Sequence, residues 1–199
     1  MSSSPQPVAD LLADLARGLR ALGVRWFLFG AQAAILYGAA RLSADVDVTV
    51  DLGARSSRQL VDALSREGFG LRVADALGFV EETRVIPMVH RGSRMPLDLV
   101  LAGPGIEEQF FARATERLVG HVRVPVVSAE DLVAMKILAG RPRDVEDAAS
   151  IIRVHRDLDV EGIRGTLRLL ERALDRADLV VELERIVASS RSGPVGPHA

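Results

Sequence analysis

Residues Leu28 to Asp51, LFGAQAAILYGAARLSADVDVTVD, constrain this chain more than any other stretch. They begin inside an apolar run, Val24 to Phe29, that reads as a strand and ends on Gly30. A run of small residues, AQAAILYG, follows at once and reads as a helix. After Arg41 and Ser43 comes DVDVTVD, a second strand with acids at Asp45 and Asp47. Side chains alternate across a strand with a period of two, so these carboxylates project from one face. Leu97 to Leu101, LDLVL, supplies Asp98 in a further strand-like run. The competing explanation makes Asp45 and Asp47 the solvent face of an amphipathic strand, with Val46, Val48 and Val50 inside. Asp is depleted in strands, and two in succession on one face weigh against that explanation. Clustered carboxylates of this kind suit a divalent cation, which prefers oxygen ligands.

With 199 residues, 48% hydrophobic and 26% charged, the chain can bury one large core or two small ones. A formal net charge of −2 gives no general pull toward nucleic acid, although a local basic groove is invisible in a total. The absence of cysteine excludes disulfides and thiolate-held zinc. The opening MSSSPQPVADLL lacks the basic start and apolar segment of a secretory signal. No apolar run reaches the roughly 18 residues of a membrane span, so a cytoplasmic protein without a membrane partner is expected.

Taken in order, residues 1–7 read as a disordered leader. Val8, Leu11, Leu12, Leu15, Leu19 and Leu22 then recur at helical spacing, and Gly23 ends that helix. SSRQLVDALSR reads as a second amphipathic helix with Ser56 or Ser57 as its cap. Leu71 to Val80 carries no decisive pattern. RVIPMVH and RMPLDLVLAG read as two strands joined at Arg91-Gly92-Ser93, with Pro87 and Pro96 placing them near a sheet edge or starting a strand. IEEQFFARATER reads as a helix and HVRVPVV as a last strand. From Ser128 onward every segment is helical in pattern, Ser128 preceding an acid at Asp131 and Pro142 suiting a first helical position. The dipole of that last helix explains Asp144 and Asp147 by itself. The expected fold is α+β: a mixed sheet flanked by helices over residues 8–126, a helical domain over 127–190 packed to form a cleft, and a disordered tail over 191–199. His90, His121 and His155 lack metal-ligand spacing and read as surface residues. Tyr37 reads as packing between helix and sheet.

Gly30-Ala31, Tyr37-Gly38 and Arg41-Leu-Ser43-Ala-Asp45-Val-Asp47 together resemble the nucleotidyltransferase superfamily that includes polymerase β. Within it, the chain is similar to the small bacterial abortive-infection-type nucleotidyltransferases, many of which are toxins of toxin–antitoxin pairs. The resemblance spans most of residues 24–156. It implies an enzyme that moves an NMP from an NTP to an acceptor hydroxyl and releases pyrophosphate, with two Mg2+ ions held by Asp45, Asp47 and Asp98. These acids would be the catalytic set, Asp98 helping to activate the attacking hydroxyl. The triphosphate would lie at Gly30 and Ala31, with Arg41 and Ser43 contacting the nucleotide. EDLVAMKILAGRPRDVEDA resembles the segment that completes the nucleotide pocket, through Lys136, Arg141 and Asp144. Lys136 is expected either to reach the cleft or to snorkel at the surface. Many relatives carry Ser or Gly where this chain has Ala31, so backbone donors and Gln32 would replace a hydroxyl there.

The resemblance points to RNA, a tRNA 3′ end in particular, as acceptor, and to an antitoxin protein as partner. Arg72, Arg84, Arg91, Arg94 and Arg123 would form an RNA-facing edge. An antibiotic- or protein-modifying enzyme keeps the chemistry and changes the acceptor, and Glu81, Glu82, Glu107 and Glu108 would suit a cationic aminoglycoside. A degenerate domain that binds a nucleotide or a partner without turnover is the alternative that Ala31 keeps open.

Overall fold

The computed structural model describes residues 6–74 and 76–192. The expected disordered stretches lie largely outside them; of the leader, Gln6 caps and Pro7 opens helix α1 (Pro7–Leu22). The chain divides into two compact units, Met1–Ala33 with Leu42–Val127, and Ala34–Arg41 with Ser128–Ala199.

The first unit is built on β1 (Arg25–Phe29), the start of α2 (Gly30–Leu36), β2 (Val46–Asp51), α3 (Ser57–Arg66), β3 (Phe69–Leu71), α4 (Ala76–Thr83), β4 (Val85–His90), β5 (Pro96–Leu101), α5 (Ile106–Arg113), β6 (Thr115–Val119) and β7 (Val122–Val126). The strands form one mixed sheet in the order β3-β4-β5-β2-β1-β7-β6. The β2–β5 and β1–β7 pairs are parallel and the other pairs antiparallel.

Register sorts the side chains onto two faces. Val46, Val48 and Val50 pair with Leu97, Leu99 and Leu101, and Ile86 and Met88 pair with Leu99 and Leu97. This apolar face is fully buried at all its central positions. His90 shares it and bonds to Asp14 of α1 at 3.0 Å and to Ser93 at 2.8 Å. It is a buried tether between α1 and the sheet, not a surface residue. On the other face, Phe29, Phe27 and Arg25 stand opposite Asp47, Thr49 and Asp51. Helix α5 covers part of that face: Phe111 meets Phe27 edge-on at 4.8 Å, and Glu108 pairs with Arg25 at 2.7 Å. Hydrogen bonds from Arg25 hold both Asp51 and Glu108 below the usual carboxylate range.

Pro87 does not mark an edge, because β4 lies between β3 and β5. A strand residue's N–H and C=O face the same neighbour in an antiparallel ladder. The Pro87 carbonyl accepts from Arg72 N at 3.0 Å, so the missing amide proton falls on the β3 side and the β4–β5 ladder keeps its bonds. Pro96 does begin its strand. In the β4–β5 turn, Arg94 rather than Gly92 takes the left-handed conformation, with φ 60°. Two further elements depart from the sequence reading. The undecided stretch holds β3 and α4, and the helix read through Arg117 stops at Arg113. Thr115–Val119 is instead the edge strand β6, joined to β7 by a two-residue turn in which Gly120 supplies φ 59°.

The second unit contains α6 (Ala129–Ala139), α7 (Pro142–Val154), α8 (Val160–Leu174) and α9 (Leu179–Ser192). Ser128 accepts from Asp131 N, Gly140 closes α6 in the left-handed region, and Pro142 opens α7. Ile137, Ile151, Ile163, Leu167, Leu183 and Ile186 form its core. Ala34–Arg41, read from sequence as part of the αβ domain, clusters with these helices. There the Tyr37 ring meets His155 edge-on at 5.7 Å, and His155 Nε2 contacts the Tyr37 carbonyl at 3.2 Å. Tyr37 therefore packs on α7, and His155 is its partly buried partner. Among the described residues, no helix is long and apolar enough to cross a membrane.

Candidate active site

Gly30 follows β1 and opens α2 with φ 66°, a left-handed conformation in which a Cβ is strained. It also leaves room. A Cβ at Gly30 would stand 2.1 Å from Asp47 Oδ2 and 2.8 Å from its Cγ. Asp47 lies opposite Phe29 on one side and directly opposite Asp98 on the other, where β2 runs parallel to β5. Residues paired across a ladder share a face, so both carboxylates rise beside each other above Gly30. Asp45, two residues earlier, precedes the first residue of β2 and is exposed.

Three side chains hold this edge. Gln32 donates its amide to the carbonyls of Ser43 at 3.2 Å and Asp45 at 3.3 Å. The Ser43 hydroxyl donates to the Asp45 carboxylate. Arg72 pairs with Asp98, reaching it from beside Pro87, the β4 residue opposite Asp98. Arg72 was read as part of an RNA-facing edge, and here its guanidinium is committed to an acid. Arg84 likewise donates inward, to the Leu101 carbonyl, at the position where its φ is 58°.

Among the described residues, no three His, Asp or Glu side chains converge to cage a metal ion. The backbone register nonetheless sets Asp47 beside Asp98, and Ser43 and Arg72 now occupy Asp45 and Asp98. All three donors are hard oxygens, which fits a magnesium-type ion that keeps waters and substrate phosphates among its ligands.

The second unit holds a buried ionic cluster. Lys136 Nζ lies 2.6 Å from Asp144 and 2.8 Å from Asp147, and Arg41 reaches Asp147 at 2.7 Å. Lys136 is only 6% exposed, so it neither snorkels nor stands free. Asp144 and Asp147 are buried too, and more than a helix dipole explains them. They neutralise the buried Lys136 and the partly exposed Arg41. Asp147 is the member to which the resemblance gives no role. Arg141 precedes α7, is exposed, and has no ion pair among the described residues.

Over residues 13–192 the sequence matches the family described as nucleotidyl transferase AbiEii toxin, type IV TA system. The chain belongs to that family. As an AbiEii protein it is a nucleotidyltransferase. The fold is similar to that of the antibiotic-resistance factor ANT(2'')-Ia, in its solution structure and in its crystal structure in complex with adenylyl-2''-tobramycin. Both matches have 16% identity and a TM-score of 0.50, and cover 93% of this chain and 91% and 97% of those chains. An antigenic nucleotidyltransferase-like protein from Paracoccidioides brasiliensis is similar at 17% identity and a TM-score of 0.48, over 89% of this chain and 93% of that one. At 16% identity the likeness to ANT(2'')-Ia speaks for the fold. Among curated proteins, none matches the AbiEii chain.

Proposed function

We propose that this AbiEii chain transfers an NMP from an NTP to a hydroxyl on RNA, at a tRNA 3′ end, from the sheet face that carries Asp45, Asp47 and Asp98. The observation that supports the transfer chemistry in this reading is the register of Asp47 against Asp98 beside Gly30, a position that accommodates only glycine; the RNA acceptor rests on the resemblance. These carboxylates would hold two magnesium ions. Bound there, the ions would neutralise charge on the attacking and leaving oxygens. The acceptor oxygen forms its bond to the α-phosphorus as the bond to pyrophosphate breaks, and Asp98 takes the hydroxyl proton. Arg72 leaves Asp98 when that carboxylate is engaged, which places a guanidinium beside the phosphates. Gly30, Ala31 and Ser43 border the same face and meet the triphosphate, Ala31 through its backbone alone. The family's toxin description favours an antitoxin protein as partner.

The test offers the protein each α-labelled NTP with magnesium and three acceptors: total tRNA, protein extract and an aminoglycoside panel. Label is expected on tRNA, and periodate oxidation of the tRNA 3′ terminus is expected to abolish it. Label on aminoglycoside or protein instead would overturn the RNA assignment and leave the chemistry standing.

A further inference from the structure

We propose that Gln32 is the positioning residue for Asp45, acting through the backbone that carries it. The proposal rests on the reading of Asp45 as a metal ligand. Asp45 needs outside support because the sheet does not supply it. The β2 ladder begins at Val46, which pairs with Leu97, and the β1 partners of β2 run from Asp47 onward. Among the described residues, no ladder bond therefore fixes the segment Ser43–Asp45. Gln32 fills that gap from the first turn of α2, two residues after Gly30. A carboxamide nitrogen carries two protons, and Gln32 Nε2 contacts two carbonyls, those of Ser43 and Asp45, at 3.2 and 3.3 Å. The residue is 9% exposed, so water does not readily replace these bonds. With its carbonyl held, Ser43 turns its hydroxyl onto the Asp45 carboxylate. Gln32 thus sets both the backbone and the carboxylate orientation at the one acid that lies outside the strand. Gly30 clears the space for Asp47, and Gln32 fixes Asp45; one turn of chain serves both.

The experiment compares wild type, Gln32→Met, Asp45→Asn and the double variant. Met has nearly the volume of Gln and no donors. Mn2+ affinity is measured on each protein without nucleotide, by the loss of the free-ion electron paramagnetic resonance signal. Amide exchange over residues 42–46 is measured on the metal-free proteins. Gln32→Met is expected to lower Mn2+ affinity by about 10- to 100-fold, the usual effect of losing an outer-shell partner. Exchange over residues 42–46 is expected to quicken while the β2–β5 ladder stays protected. Added to Asp45→Asn, the Gln32 substitution is expected to cost no further affinity. If Gln32→Met does not fold, Gln32→Leu gives the same reading, since it also removes both donors and adds no charge beside Asp45. Wild-type affinity and exchange in the Gln32 variant, or full additivity in the double variant, would overturn the proposal while the metal site stands. Unchanged Mn2+ affinity in Asp45→Asn alone would overturn the metal reading, and the role of Gln32 with it.

Discussion

Position 30 has to be glycine for two separate reasons, one in the backbone and one in a neighbour. Its left-handed φ of 66° penalises any Cβ, and Asp47 Oδ2 stands where that Cβ would go. The left-handed conformation alone costs an L residue roughly 1–2 kcal/mol. Gly30→Ala is therefore expected to lower unfolding stability in urea by at least about that amount. Its loss of nucleotidyl transfer is expected to exceed what the destabilisation explains, because Asp47 must move. Wild-type stability and transfer in Gly30→Ala would contradict the contact. Period-two alternation in the sequence puts Asp45 and Asp47 on one strand face, whereas β2 begins only at Val46 and leaves Asp45 outside the strand. That Asp98 stands opposite Asp47, that Arg72 covers Asp98, and that Gln32 turns to the Ser43 and Asp45 carbonyls all depend on register between segments distant in sequence.

Among the elements, helices with caps were the most readable. Ser56 and Gln59 form a reciprocal capping box on α3, and Ser128 caps α6 as its spacing to Asp131 indicated. Strands β3 and β6 escaped for different reasons: β3 has only three residues, and β6 is exposed along most of its length. The Gly120-His121 turn between Val119 and Val122 was the available signal for the β6–β7 hairpin. The α6–α7 pair illustrates the opposite failure. A dipole argument accounted for the acids of α7 locally, whereas the structure uses them to neutralise Lys136 and Arg41. Removing one member leaves buried charge uncompensated, typically at about 3–5 kcal/mol. Lys136→Met is expected to destabilise the helical unit by that order in urea unfolding followed by circular dichroism. A change under about 1 kcal/mol, the range of exposed pairs, would contradict a buried cluster.

For the whole molecule, the two units divide between Val127 and Ser128, where the sequence turns from a mixed to a helical pattern. The return of Ala34–Arg41 to the helical unit has no such signal in the sequence, since only the contacts of Tyr37 and Arg41 reveal it. Family membership establishes the nucleotidyl-transfer chemistry. Transfer of α-labelled NMP to RNA during a Mg2+ titration is the measurement to make, with Asp47→Asn and Asp98→Asn run beside the wild type. Label and pyrophosphate are expected to appear in equal amounts, to rise with Mg2+ and to vanish in either variant. Undiminished transfer by Asp47→Asn, or by the wild type in excess chelator, would contradict a carboxylate-held metal on the sheet face of Asp47 and Asp98.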